Sequence, residues 1–356
     1  MAKKLRPKRS KRVPARAHKA RAVLRRRSSS APVIDFHTHI IVMEVCDFVK
    51  QNRPPEATEY QLVDNYIRGA AAQRQRHPRS STDEVAARLA DMDEFGIDQQ
   101  VVFCHVAQYC YWARPEDGAR MTRLGNDRLA EFVAKKPDRF IGMGMVPLQD
   151  SQAAVSELQR MVAELGFRAV AVNTHVDGAE LGEERLWPFW ARAEQLGIPV
   201  FIHPSGFKHP RFEKHLMWNG VGQPIEEAIA MSSLMYEGVM DRFPKLKLGV
   251  AHGGGFLPYY AGRVDRNFRN RPQMTPNIKQ EPSAYMRRLF YDTVVYNADM
   301  LEFLVHKVGP TQIVLGGDYP VGEDNPVAFV KGAKLSSAAK RMILGENAAR
   351  LLGLAV

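Results

Sequence analysis

Cysteine is scarce in this 356-residue chain: Cys46, Cys104 and Cys110 make an odd set with no Cys-x-x-Cys pair. That count excludes a disulfide scaffold and points to a reducing, cytoplasmic compartment. No apolar run approaches the roughly 18 residues of a membrane span. No Gly-x-Gly-x-x-Gly follows the first predicted strand, which removes the usual dinucleotide-binding fold, and Val314-Leu315-Gly316-Gly317-Asp318 is not a Walker sequence. Acidic residues are missing altogether from positions 1–30, where 13 Lys and Arg are gathered.

That last absence changes the meaning of the formal net charge of +11. Residues 31–356 hold 37 basic against 39 acidic residues, a net of −2. The basicity belongs to a tail, and a nucleic-acid-binding body is not expected. Within the tail the longest apolar run is Ala22-Val23-Leu24, too short for an export signal. Residues 1–30 are therefore read as a disordered basic tail. An organellar transit peptide and an upstream start codon share this composition.

Beyond the tail, short β-rich runs alternate with helical ones. Strands are predicted at Val33–His37, Ile97–Cys104, Phe140–Val146, Phe167–Val172, Ile198–His203, Leu246–His252, Leu289–Asp292 and Gln312–Asp318. A helix or long loop follows each. Strict alternation implies parallel strands with helical crossovers. Eight units in about 325 residues point to a distorted (β/α)8 TIM barrel rather than an open sheet. Residues 31–356 then form one barrel domain. Gln51–Ser81, polar and Arg-rich with Pro54-Pro55, reads as a loop insertion after strand one.

Catalytic groups in such a barrel stand at the C-terminal ends of the strands. Strand one ends Asp35-Phe36-His37-Thr38-His39, with two histidines on one face by the period of two. Strand five ends His203-Pro204, strand six His252-Gly253-Gly254-Gly255, and strand eight Asp318-Tyr319-Pro320. His37 to His203 covers 166 residues in four βα steps, and His203 to Asp318 covers 115 in three. Both give roughly 40 residues per step, a fitting size for a decorated barrel unit. A lone histidine at a strand end is usually structural. Several metal-competent residues in βα register point instead to a shared divalent metal, zinc foremost and manganese as the alternative.

These segments, together with Arg88–Asp98, Tyr111-Trp112-Ala113, Arg139–Pro147, Gly166–Val176, Phe243–Gly262 and Gly345–Leu354, resemble the amidohydrolase superfamily. The similarity lies with the branch of metal-dependent carboxy-lyases that includes aminocarboxymuconate-semialdehyde decarboxylase. By that resemblance His37, His39, His203 and Asp318 hold one metal ion, with Asp318 also counted among the catalytic residues. Strand four ends Val172-Asn173-Thr174-His175 without the bridging lysine of dinuclear relatives, which favours a single ion. His175 would line the substrate pocket. The implied role of His252 is to orient or deprotonate the metal-bound water, a fitting task for a side chain that titrates near neutrality.

A carboxylate substrate calls for arginine. Arg263 matches the family's substrate arginine, donated there by the neighbouring subunit, so the resemblance implies a homodimer. A second falls in the loop insertion, where Arg76 is nearest by offset and Arg74 and Arg79 are its rivals. Ser205 stands where the muconate enzyme has a tryptophan, so the pocket wall must differ. The reading is a metal-dependent, non-oxidative decarboxylase of an unsaturated or aromatic carboxylic acid. Its rival is a hydrolase or hydratase using the same residues to add water. A nucleic-acid binder on a retired barrel is opposed by the intact ligand set and the near-neutral body.

Overall fold

The computed structural model describes residues 31–52, 84–206 and 209–355. Among them, eight parallel strands form one sheet in chain order: β1 (Ile34–Ile40), β2 (Gln99–Cys104), β3 (Phe140–Met145), β4 (Ala169–Asn173), β5 (Pro199–His203), β6 (Lys247–Val250), β7 (Phe290–Asp292) and β8 (Ile313–Val314). The sheet closes on itself where the Phe36 amide donates to Leu315 O at 2.8 Å and the His39 amide to Tyr319 O at 2.9 Å. This is the expected (β/α)8 barrel. The basic tail and the Arg-rich loop, with Arg74, Arg76 and Arg79, lie outside the described residues.

The strands read as near-continuous apolar runs because helices cover their outer faces and side chains fill the barrel. Every residue of β1, β3, β4 and β5 is buried. Those covering helices include α1 (Met43–Asn52), α2 (Glu84–Phe95), α3 (Pro115–Ala134), α4 (Ser151–Ala163), α5 (Trp187–Leu196), α6 (Gln223–Tyr236), α7 (Ala261–Asn270) and α8 (Ala298–Val308). Local chemistry fixes their ends. Asp150 caps α4 by accepting from the amides of Gln152 and Ala153, and Gly197 ends α5 in the left-handed conformation.

An aromatic layer fills the barrel beneath its C-terminal rim. Phe36 packs edge-on against Phe201 and Phe290 at centroid distances of 5.6 and 5.4 Å. Gly249 in β6 makes room for it, since a Cβ there would sit 2.0 Å from the Phe290 ring. Above this floor, the His37 ring lies 5.2 Å from Phe201 and the His39 ring 4.5 Å from Phe103.

Several expected boundaries shift. β1 runs on to Ile40 and so contains both histidines, with a bulge between Asp35 and Thr38 in its pairing with β2. β6 stops at Val250, because His252 and the three glycines after it turn with positive φ. β8 is only two residues long, and Leu315–Tyr319 continues alongside β1 through the two closing hydrogen bonds. A small hairpin pairs His175–Val176 with Ala179–Glu180, turning at Asp177-Gly178. Both turn residues have positive φ, the geometry that an Asp-Gly pair favours.

Candidate metal centre

The strand ends bring the histidines and Asp318 to one point. Donor atoms of His37, His203, His252 and Asp318 all lie within 4.8 Å of one another. His39 joins them, its Nε2 being 3.1 Å from His37 Nε2 and 3.0 Å from Asp318 Oδ1. His252 Nε2 stands 3.7 Å from Asp318 Oδ2. All five residues named from the sequence therefore meet, and His252 stands near enough to be a ligand as well as to act beside one.

Hydrogen bonds on the far side of each ring decide which nitrogen faces inward. His37 Nδ1 lies 2.6 Å from Asp292 Oδ2, and His203 Nδ1 lies 2.9 Å from Pro204 O. In its neutral form each ring then donates through Nδ1 and presents the Nε2 lone pair, the arrangement that metal-binding histidines adopt. His203 Nε2 is buried and has no hydrogen-bond partner. A buried, acceptor-only nitrogen among other donors fits a cation, and the nitrogen-and-carboxylate set suits zinc or a similar ion.

The electrostatics divide the rings. Burial opposes charge on His37, but the carboxylates of Asp318 and Asp292 overcome it and raise its pKa to about 9. His39, with the same burial and less support, falls to about 4. Burial also drives His203 well below its ordinary value. At His252 burial again opposes charge, and Glu227 with Asp318 raises the pKa well above the ordinary value. Burial raises Glu227 to about 7. Two residues of the site, His252 and Asp318, hold left-handed backbone with φ of 48° and 52°. Such strain in residues with side chains is found where a site fixes geometry.

Three supporting residues were not singled out from the sequence. Asp292, which orients His37, stands at the end of β7 and answers to the same strand-end rule. Glu227, 2.5 Å from His252 Nδ1, comes from the N-terminal half of α6, and its sequence surroundings carry no signal. Arg88 is fully buried on α2, donates to His39 O and Gln100 Oε1, and lies 4.5 Å over the Tyr319 ring. It ties β1 and β2 to the segment that follows β8.

The substrate residues are more dispersed. His175 lies in the small hairpin beyond β4, with Nδ1 accepting from the Gly178 amide and Nε2 3.9 Å from Glu226. Arg263 is exposed at the start of α7 and forms no ion pair among the described residues.

The chain matches the amidohydrolase family over residues 34–354, and it belongs to that family. It is 34% identical to a 2-amino-3-carboxymuconate-6-semialdehyde decarboxylase from Dictyostelium discoideum, covering 75% of this chain and 76% of the other. It is 31% identical to a gamma-resorcylate decarboxylase from Rhodococcus jostii, covering 78% and 92%. The structure superposes on 5-carboxyvanillate decarboxylase from Sphingomonas paucimobilis with a TM-score of 0.82 and 26% identity, over 92% of this chain and all of the other.

Proposed function

We propose that this protein is a metal-dependent, non-oxidative decarboxylase of an unsaturated or aromatic carboxylic acid. The observation that carries this is the convergence of His37, His39, His203 and Asp318 with His252 on one barrel rim. The relatives described above are decarboxylases, which favours this reaction over the addition of water.

His37, His39, His203 and Asp318 would hold one divalent ion, zinc by donor type and manganese as the alternative. Such an ion supplies positive charge that polarises substrate oxygens and acidifies water. His252 carries the proton. Glu227 Oε1 accepts from its Nδ1–H and fixes the ring, which aims Nε2–H into the site. The proton on Nε2 adds to the carbon bearing the carboxylate. The C–C bond then breaks, its electron pair returns to the unsaturated skeleton, and CO2 leaves; His252 regains its proton from solvent. The aromatic floor and the closed barrel keep bulk water from below the reacting carbon.

Arg263 would bind the substrate carboxylate of a neighbouring subunit in a homodimer. Its exposed position supports this, as do the large apolar neighbours Phe256, Tyr259 and Tyr260, exposed by 40, 47 and 57%. Exposed aromatic clusters of this kind mark interaction surfaces. His175 would line the pocket, and Arg76, or its rivals Arg74 and Arg79, would supply a second anchor.

The test is to incubate metal-assayed protein with muconic, hydroxybenzoic and related acids and analyse products by mass. Loss of CO2 from any of them supports the proposal. Gain of water would transfer the same residues to a hydratase or hydrolase.

A further inference from the structure

Asp318 holds a left-handed backbone with φ of 52°, and the chain pins it from both sides. On one side the Gly317 amide donates to Asp35 Oδ1 at 2.9 Å, and the His37 amide reaches the same oxygen at 3.2 Å. On the other side Tyr319 O accepts from the His39 amide. The amides of Val321 and Gly322 then return to Asp318 O at 3.0 and 2.8 Å. Gly322 permits that return, since a Cβ there would lie 2.5 Å from Asp318 Cβ. Left-handed backbone in a residue with a side chain persists only where its surroundings over-determine it.

The side chain of Tyr319 adds a grip from outside the metal centre. Its hydroxyl donates to Asp91 Oδ2 at 3.1 Å, and its ring lies 4.5 Å from the Arg88 guanidinium above it. Arg88 and Asp91 stand three apart on α2, so one helix face holds ring and hydroxyl together. Arg88 also donates to His39 O, which links the grip to a second expected ligand. Both charged residues are buried, at 0 and 3% exposure. Apolar side chains would pack α2 onto the barrel without that desolvation cost. They could not hold a tyrosine by its face and its hydroxyl at once.

We propose that Tyr319, gripped by Arg88 and Asp91, is a positioning residue that fixes the direction of the Asp318 carboxylate. The inference rests on the reading of Asp318 as a metal ligand. Releasing Tyr319 lets the strained residue before it turn. That moves the oxygen 3.0 Å from His39 Nε2 and the one 3.7 Å from His252 Nε2. A helix on the outer face of the barrel thus sets part of the metal affinity and ligand geometry.

The test loads the protein with cobalt(II), whose visible absorption bands report the number and arrangement of its ligands. Metal-stripped full-length chain is titrated with cobalt(II) for wild type, Tyr319→Phe, Asp91→Ala and Asp91→Asn, with folding checked by circular dichroism. Tyr319→Phe and Asp91→Ala remove the same hydrogen bond. Each should weaken cobalt binding about 10-fold and shift the bands, the scale expected for a group that supports a ligand. Combining them should add little to either alone. Asp91→Asn keeps an acceptor for the hydroxyl and should retain the wild-type affinity and spectrum. A lowered melting temperature with affinity and spectrum unchanged in Tyr319→Phe and Asp91→Ala would show a purely structural contact and overturn the proposal. If either variant fails to fold, the other carries the test. Asp318→Ala separates the two readings. If it leaves the cobalt spectrum unchanged, the ligand reading falls and the proposal with it. If it changes the spectrum while Tyr319→Phe and Asp91→Ala do not, the ligand reading stands and the proposal alone is overturned.

Discussion

Glu227 Oε1 lies 2.5 Å from His252 Nδ1, with the carboxylate fully buried and the imidazole largely so. This contact sets the tautomer of His252, because only Nδ1–H can satisfy the carboxylate, and it leaves Nε2 directed at Asp318. A helix thus positions the residue that a strand end delivers.

Glu227→Gln should lower kcat by about 10- to 100-fold, the usual effect of removing such a partner. Metal content per chain should stay at the wild-type level, measured by plasma mass spectrometry on the same samples. Unchanged kcat at full metal loading would remove Glu227 from the account.

Asp318→Ala should reduce metal occupancy, because it deletes the carboxylate that His37 and His39 both approach, at 3.3 and 3.0 Å. His252→Ala, in contrast, should keep its metal and lose most turnover. Full occupancy with normal activity in Asp318→Ala would contradict its assignment as a ligand.

Arg263→Ala should raise KM strongly while leaving the folded barrel intact. Mixing it with His252→Ala should restore activity, since a mixed dimer regains one complete site. Absence of rescue, with subunit exchange shown independently, would contradict a shared site.

Stability should report on Glu226, whose buried carboxyl accepts from Thr174 Oγ1 at 3.0 Å and is raised by burial to about 7. A carboxyl raised on folding binds its proton more tightly in the native state. Its contribution is therefore greatest at low pH and is lost as pH rises from the unfolded value toward about 7. Glu226→Gln removes that loss. Its stability relative to wild type should grow across this range and level off above it, at a few kcal/mol at most. Denaturant unfolding at pH 5 and pH 8 measures the difference, and a constant gap would contradict the raised pKa.

Much of this was legible in the chain because barrels place chemistry by register. His37, His39, His203, His252 and Asp318 each follow a β-rich run, and parallel strands in order carry those runs to one rim. Asp292 ends the predicted strand Leu289–Asp292 and obeys the same rule, but a strand-end position alone does not show that its carboxylate orients His37. Glu227 and Arg88 come from helices, where periodicity reports the buried face and not what a buried polar group touches. The hairpin at His175 was missed although Asp177-Gly178 is a turn signal, since two-residue strands carry no alternation. His252 departs from its predicted strand because successive glycines allow a turn that the apolar pattern does not reveal.

The central claim is that His252 gives a proton to the carbon that loses its carboxylate. Turnover of an accepted acid in D2O tests it directly, with the product examined by NMR. The account predicts CO2 release and one deuterium on that carbon in wild type, with the rate collapsing in His252→Ala. A product that keeps its carboxylate and gains the elements of water, or wild-type deuteration rates in His252→Ala, would contradict it.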